Sequence, residues 1–251
     1  MTQLSALETI RAVSSQINDL GGRFMLHPET LKIGSDAGYP NGYAWYVTGR
    51  GGVLGDVDAD VVIAAFAYFN PQVVRKMWIA GTKVEGARKA GERYALACAE
   101  WGRTRLQDVE GCTRFVELAE RLVKSVDVAG LSLFAAWRSE PLPDDAPARA
   151  YQLLHVLREW RGSVHIIAVL SGGVTPLQAL LASDDGSAHA KTFGWGDGLS
   201  NATQLVDQMV GIELLTDNLM LNAYETTFNA TERTEFVELV GGFAHALRLV
   251  S

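Results

Sequence analysis

The chain has 251 residues, of which 48% are hydrophobic and 20% charged, a balance typical of a globular protein with one large domain or two small ones. The formal charge is −7 and the pI is about 5.3. This acidic total argues against a generally basic, nucleic-acid-binding surface, although it leaves room for a local basic patch.

The cysteines and the lengths of the apolar runs indicate in which cellular compartment the protein works. Neither Cys98 nor Cys112 lies in a CxxC or CxxH pattern, so we expect neither a structural disulfide nor a zinc site. The first twenty residues lack a basic end followed by an apolar block, and no apolar run approaches the length of about eighteen residues that a membrane span needs. These features predict a cytoplasmic protein.

The first half of the chain has the apolar period of amphipathic helices. Residues 4–20 are the clearest case, with apolar side chains at 7, 10, 13, 17 and 20. The other helices predicted here are a short piece from Pro28 and residues 58–69, 71–78, 85–106, 112–126 and 131–138. Glycine-rich residues 34–43 are predicted as a loop, and YAWYVT at 43–48 is a weak strand candidate.

The segment EPLPDDAP, residues 140–147, is the clearest break, because its three prolines cannot continue a helix. Beyond it, helices are predicted at 149–160, 163–170, 175–182, 202–224 and 231–249, with a polar loop at 183–200. Asn229 or Thr231 can cap the final helix. We therefore predict a mainly α, multi-helix bundle. Residues 1–139 would form an N-terminal helical domain with a GRGG loop, and 140–251 a second domain packed on it or continuous with it.

The stretch GRGGVLGDVDADVVIAAF, residues 49–66, invites several interpretations. It lacks the lysine of a Walker loop and a convincing strand before it, and Ala67 stands where a calcium loop needs glutamate. The structural interpretation is stronger: Asp56 or Asp58 caps the following helix, Asp60 favours its positive end, and the glycines allow a tight turn before it.

Arg50 is not explained by helix capping. It follows Trp45 and Tyr46 and either pairs with one of the aspartates or faces an anionic ligand. The ligand-binding candidates in this part of the chain are therefore Arg50, Trp45, Tyr46, Gly51, Gly52, Asp56 and Asp58.

Five histidines are present, and no pair has the HExxH spacing of a zinc protease. A metal site would have to be assembled from distant residues, for example His27, Glu29 and His165. The alternative is that His165 is a satisfied core histidine on an apolar helix.

The segment LREWRGSVHIIAVL places Arg158, Arg161 and His165 on roughly one helical face, and Gly162 is expected to break or bend the helix between them. Two arginines and an imidazole beside apolar residues suit a carboxylate-bearing ligand. An internal salt-bridge network with Glu159 or Asp144 is an equally good interpretation.

The combination of GRGGVLGDVDADVV, NPQVVRKMW and LREWRGSVHIIAVLSGG resembles an actinobacterial family whose members are called helix-turn-helix or SalK/EvbL-like proteins. The resemblance covers nearly the whole chain. Arg161, Gly162 and His165 match the family's RGxxH pattern residue by residue. The resemblance implies a winged-helix-related, MarR-like C-terminal part, and it implies no particular chemistry.

In typical members, a GW pair is followed by a recognition helix and a β-wing. Here Phe193-Gly194-Trp195 supplies the pair, but only a few residues separate it from LVDQMVGIELLTDNLM, which resembles the helix after the wing with Glu213, Thr216 and Asp217 in order. The resemblance therefore predicts that the recognition helix and the wing are missing from this chain. From residue 201 onwards, seven acidic residues stand against Arg233 and Arg248, which is a balance that repels DNA.

These patterns predict a protein that binds a small, largely apolar molecule and does not bind DNA. An enzyme that converts this molecule is a second form of the same hypothesis. The pocket would lie between residues 43–78 and 151–182. The residues expected to wall it are Trp45, Tyr46, Phe66, Phe69, Trp78, Trp137 and Trp160, although aromatic residues at such positions are often plain core. If the protein is an enzyme, His165 is the best general base and Arg161 the best anion stabiliser. The sequence leaves the identity of any cofactor open.

Two other classes stay open. The family resemblance favours a dimeric, ligand-responsive transcriptional regulator, with the acidic last helix as its dimer contact. A haem- or metal-binding enzyme that uses His165 is the third.

Overall fold

The computed structural model describes residues 3–249, whose regular structure is entirely helical. The first seven helices are α1 (Ala6–Gly22), α2 (Pro28–Asp36), α3 (Gly42–Gly52), α4 (Ala59–Phe66), α5 (Pro71–Glu85), α6 (Ala87–Leu106) and α7 (Cys112–Ser125). They are followed by α8 (Ser132–Arg138), α9 (Ala146–Ser171), α10 (Pro176–Leu181), α11 (Gly186–Thr192), α12 (Val206–Thr227) and α13 (Ala230–Leu249), with a 3-10 turn at Thr203–Leu205 before α12. The predicted mainly α, multi-helix fold is confirmed.

Several helices begin at residues that satisfy free backbone N–H groups. Ser5 and Glu8 form a capping box at the start of α1, and Asp145 accepts a hydrogen bond from Ala148 N ahead of Pro147 in the first turn of α9. Asn229 caps α13 by accepting from the backbone N–H groups of Thr231 and Glu232 at 3.0 Å. Of the two cap candidates for α13, Asn229 is therefore the one used.

The central element is α9, which packs against α1, α6, α7, α8 and α12. Its buried residues point in all directions around the helix, which is typical of a helix enclosed by others. The largest apolar core surrounds it and contains residues from both sides of the break before α9. Two smaller clusters lie around α10 and α11, one containing Ala168, Val169, Val174, Ala179 and Ile212, the other Leu181, Ala190 and Ala202.

Three local predictions are wrong. The segment YAWYVTGRGG is helical as α3, so Gly51 and Gly52 lie in its last turn; the left-handed turn falls at Gly55, whose φ is +85°. Gly162 neither breaks nor visibly interrupts α9, which runs through residues 146–171. The expected polar loop at 183–200 contains α11.

The glycines of α3 are required by packing. A Cβ added to Gly49 would overlap the ring of Tyr94, and one added to Gly52 would overlap the backbone of Ala87 and Gly91 in α6. Because backbone cannot move aside as a flexible side chain can, the α3–α6 crossing tolerates only glycine at position 52.

None of the described helices combines the length and the apolar character that a membrane-spanning segment requires. Cys98 and Cys112 are both buried free thiols.

Candidate functional site

A cavity of about 650 Å³ lies between the main core and the helix pair α10–α11. One wall comes from α3, α4 and the α4–α5 loop, a second from α9, and a third from α10, α11 and α12. Its apolar lining includes Met25, Leu26, Tyr43, Tyr46, Ala65, Phe66, Phe69, Leu133, Ile166, Ala179, Leu180, Phe193 and Met209. The cavity is therefore mostly apolar, with polar groups concentrated on the α9 side.

A buried ion pair forms part of that polar side. Arg50 Nε and Nη2 donate to the two carboxylate oxygens of Glu159 at 2.9 and 2.8 Å, and Arg50 Nη1 donates to the Tyr46 hydroxyl at 2.9 Å. The guanidinium also lies over the ring of Phe66, 4.6 Å from its centroid. All three guanidinium nitrogens of Arg50 therefore donate hydrogen bonds to other side chains of the protein.

The pKa values of this pair move in the directions that keep both groups charged. Burial alone would raise the pKa of Glu159, but the neighbouring Arg50, Arg158 and His155 outweigh it and lower that pKa to about 2. Burial would lower the pKa of Arg50, but Glu159 and Tyr46 raise it. The pair stays ionised because each charge compensates the other.

Glu159 has two further basic neighbours. Arg158 Nη1 donates to Glu159 Oε1 at 2.9 Å, and His155 Nε2 lies 3.6 Å from the same oxygen. His155 Nδ1 is 2.8 Å from the carbonyl oxygen of Gly21, so Nδ1 carries the proton. Burial lowers the pKa of His155 to about 4, with Glu159 opposing the shift, so His155 is neutral near pH 7.

His165 lies one turn beyond Arg161 on α9 and contacts α12. The Thr216 hydroxyl donates to the Ile212 carbonyl at 2.9 Å and has no second proton, so it accepts from His165 Nδ1, which is also at 2.9 Å. In the neutral ring, Nε2 is therefore unprotonated; it lies 3.6 Å from Glu213 Oε1. Burial lowers the pKa of His165, Glu213 opposes this effect and Arg161 adds to it.

Arg161 and Glu213 complete this end of the cavity. Arg161 Nη2 donates to Glu213 Oε2 at 2.6 Å and lies 3.9 Å from Asp217, whose nearer partner is Arg11 at 3.4 Å. Glu213, Thr216 and Asp217 of α12 therefore meet Arg161 and His165 of α9 at this end of the cavity.

Tyr68 enters the cavity from a strained turn. Ala67 ends α4 with φ +33° and ψ −57°, the one positive φ among the non-glycine residues described, and a conformation that costs free energy. Tyr68 stacks beside His165 with ring centroids 6.4 Å apart, and its buried hydroxyl has no hydrogen-bond partner. Burial raises the pKa of Tyr68, so the hydroxyl remains a donor at neutral pH.

The same turn holds the end of α11. Trp195 Nε1 donates to the carbonyl oxygen of Tyr68 at 2.8 Å, and Asn70 N donates to that of Phe193 at 2.9 Å. The rings of Phe69 and Phe193 are 4.4 Å apart between centroids. The FGW segment thus connects the cavity wall to the α10–α11 pair.

The structure brings together only part of the predicted site. Arg50, Tyr46, Arg158, Arg161, His165, Phe66 and Phe69 line the cavity. Arg50 pairs with Glu159 and not with an aspartate, because α3 faces α9 at this point.

The other predicted ligand-binding residues lie elsewhere, and for these the prediction of a common pocket is wrong. Trp45 and Trp137 are fully buried, with their indole N–H groups bonded to the carbonyls of Thr30 and Arg50. Gly51 and Gly52 pack against neighbouring helices and do not line the cavity.

The remaining candidates are two aspartates and two tryptophans. Asp56 and Asp58 are exposed, and Asp58 stands at the N-cap of α4 without making a capping hydrogen bond. Trp78 and Trp160 are core residues outside the cavity lining.

The metal candidates do not converge. His27 accepts from Glu29 N at the start of α2, Glu29 pairs with Arg105 at 3.0 Å, and His165 contacts α12. Across residues 3–249, no group of three or more histidine, cysteine or carboxylate side chains is close enough to share a metal ion.

Two contributors were not predicted as ligand-binding residues. The sequence analysis offered Glu159 and Asp144 as alternative salt-bridge partners of the α9 arginines. Glu159 does pair with Arg158, whereas Asp144 forms no salt bridge among the described residues. Tyr68 lay inside a predicted helix, and no sequence signal marked the strained turn that exposes it to the cavity.

Comparison with known proteins gives one finding. Residues 10–208 match the model of a family described as a helix-turn-helix family. No curated protein and no solved structure shows significant similarity to the chain.

Proposed function

The chain belongs to a helix-turn-helix family, and from the cavity that it contains we propose that it binds a small, largely apolar molecule between α9 and the α10–α11 pair. The observation that carries the proposal is the cavity itself. A volume of about 650 Å³ is in the range of small-molecule sites, and an apolar lining with a few converging polar groups is their usual character.

The polar groups fit binding better than plain structural support. Arg50 and Glu159 satisfy each other and form a rigid floor. Arg158, Arg161 and His165 also line the cavity, and the Nε atom of each arginine has no hydrogen-bond partner. A rigid second layer that supports adaptable groups is the arrangement expected at a ligand site.

The experiment uses the neutral solvatochromic dye Nile red. We expect wild-type protein to bind it with a blue-shifted, enhanced emission, because the dye leaves water for the apolar cavity. Leu180→Trp should weaken that binding about tenfold by filling the cavity; Leu96→Trp is the matched control, since Leu96 is 71% exposed on α6. Equal binding by the two variants would contradict the proposal.

A second candidate is a ligand-responsive transcriptional regulator, as the family description suggests. One observation favours it: Ala179, Leu180, His189 and Thr192 of the α10–α11 pair line the cavity, so a bound molecule would contact both of these short helices and could shift them. Against it, only a 3-10 turn lies between Trp195 and α12, no strand occurs in residues 3–249, and the chain after residue 200 is acidic.

A gel-shift titration at low salt separates the two candidates. Our first proposal expects no tight binding to duplex DNA, because the described α10 has no charged residue and α11 has one lysine. Tight, salt-sensitive binding would favour the regulator.

Finer assignments rest on the same resemblance. We propose a SalK/EvbL-like relationship, a cytoplasmic location and a homodimer, of which the last is tested by native mass spectrometry of freshly purified protein. If the protein turns its ligand over, His165 Nε2 is the proposed base and Arg161 the group that stabilises negative charge.

A further inference from the structure

We propose that the molecule bound in the cavity is a monoanion, a carboxylate on an apolar body, and that Arg158, Arg161 and Tyr68 hold the carboxylate. This inference rests on the proposed function and names the chemical class of its ligand.

The first observation is a set of buried donors without acceptors. Of the buried side-chain polar atoms in residues 3–249 that lack a partner, three belong to residues of the cavity lining: Tyr68 Oη, Arg158 Nε and Arg161 Nε. Leaving a buried donor unpaired costs free energy, so such groups usually have a partner. The two guanidinium nitrogens can only donate, and the Tyr68 hydroxyl can donate as well as accept, so an acceptor is the partner that would satisfy all three atoms.

The second observation is the charge balance. Arg50 and Arg158 share the single carboxylate of Glu159, and Arg161 pairs with Glu213. Three guanidinium groups on this side of the cavity therefore face two carboxylates.

The remaining charges nearby do not correct this balance. Arg23 also lines the cavity, but it pairs with Asp19 at 2.7 Å. Asp217 is closer to Arg11 than to Arg161 and does not line the cavity. One positive charge is left over, so a monoanion would neutralise the site, whereas a dianion would exceed what the site can balance.

The third observation is where the donors lie relative to the apolar wall. Tyr68 continues directly into Phe69, whose ring contacts Phe193, and both rings line the cavity. A ligand whose carboxylate meets Tyr68 and the two arginines would place its remaining atoms against aromatic side chains. An aryl or alkyl carboxylate has this shape, and guanidinium groups bind carboxylates with charge-assisted hydrogen bonds.

The test compares carboxylates with neutral amides of the same shape: benzoate with benzamide, 2-naphthoate with 2-naphthamide, and decanoate with decanamide. Displacement of Nile red is followed by fluorescence, and the best pair by calorimetry. We expect wild-type protein to prefer the carboxylate of the best pair at least tenfold. Arg158→Gln and Arg161→Gln should each remove most of that preference by weakening carboxylate binding more than amide binding, while Arg75→Gln, on the surface beside Asp60, should keep the preference.

Tyr68→Phe keeps the test decisive if an arginine variant fails to fold. It removes a hydroxyl without a partner, so we expect unchanged or higher stability together with a weaker carboxylate preference. No carboxylate preference in any of the three pairs, or a preference that Tyr68→Phe and both arginine variants leave intact, would overturn the inference. Nile red binding that depends on Leu180 would still support the cavity proposal in that case; loss of both would reject the proposed function itself.

Discussion

At the residue scale, the most consequential contact is the one between Arg50 and Glu159. Removing two charges from water is costly, and the cost is offset here by two parallel hydrogen bonds, the Tyr46 hydroxyl and the ring of Phe66. The sequence offered Arg50 either a nearby aspartate or an anionic ligand as its partner, and neither alternative named Glu159. The true partner is 109 residues away, and its identity depends on how α3 and α9 pack, which no local pattern encodes.

The neutral state of His155 predicts a pH dependence of stability. Its folded pKa of about 4 is below its unfolded value of 6.5, so its contribution is present above pH 6.5 and is lost as pH falls towards 4. Between pH 7.5 and 5.5, we expect the free energy of unfolding of the wild type to fall by about 1 kcal/mol more than that of His155→Gln, measured by urea denaturation. Glu159 titrates below this window, since its pKa is lowered to about 2 from 4.5. Equal pH slopes for the two proteins would contradict the prediction.

At the element scale, the sequence predicted the helices better than it predicted the turns between them. Amphipathic periods located α1, α7 and α13 within a few residues, because one face of each is buried. Two of the three failures concern α3 and α9, where residues are buried on nearly all sides of the helix. Glycines there were interpreted as turn formers, whereas Gly52 serves a close helix crossing and Gly162 sits within a continuous helix.

This contrast gives a matched pair of glycine substitutions. Gly52→Ala should destabilise the protein by about 2 kcal/mol or more, because its methyl group meets the backbone of α6. Gly162→Ala should stabilise it by about 0.5–1 kcal/mol, since nothing lies within 4 Å of the added carbon and alanine favours helix. Urea unfolding of both variants checks the prediction. Similar effects of the two substitutions would show that the crossing at Gly52 is looser than described.

At the scale of the whole molecule, the cavity lies where a large core meets two smaller apolar clusters around α10 and α11. Part of this site was predictable: Arg50, Arg158, Arg161 and His165 line one cavity, as their residue types suggested. The aromatic wall was predictable only in part. In the sequence, Trp45, Trp137 and Trp160 look no different from Phe66 and Phe69, because all five are large aromatic residues, but the three tryptophans are buried in the core. The division of the chain at residue 139 stays a prediction.

The attachment of α11 to the cavity wall predicts a local change in dynamics. Trp195→Phe removes the hydrogen bond to the Tyr68 carbonyl, which is worth about 1 kcal/mol. We expect amides in residues 186–195 to exchange hydrogen about fivefold faster, as followed by mass spectrometry. Trp101→Phe is the control, since Trp101 Nε1 has no partner to lose. Unchanged exchange in Trp195→Phe would indicate that the ring contacts alone hold α11.

The packing of α1 has a consequence for how the chain is made. α1 packs on α9, α12 and α13, which all come more than a hundred residues later, and it runs parallel to α13: Leu4 contacts Arg233 at one end, and Arg23 contacts Leu247 at the other. While the ribosome is still adding those later helices, the apolar face of α1, including Ile10, Val13 and Ile17, has nothing to cover it. Native folding should therefore be slow and largely post-translational, and the nascent chain should depend on chaperones that shield apolar helices.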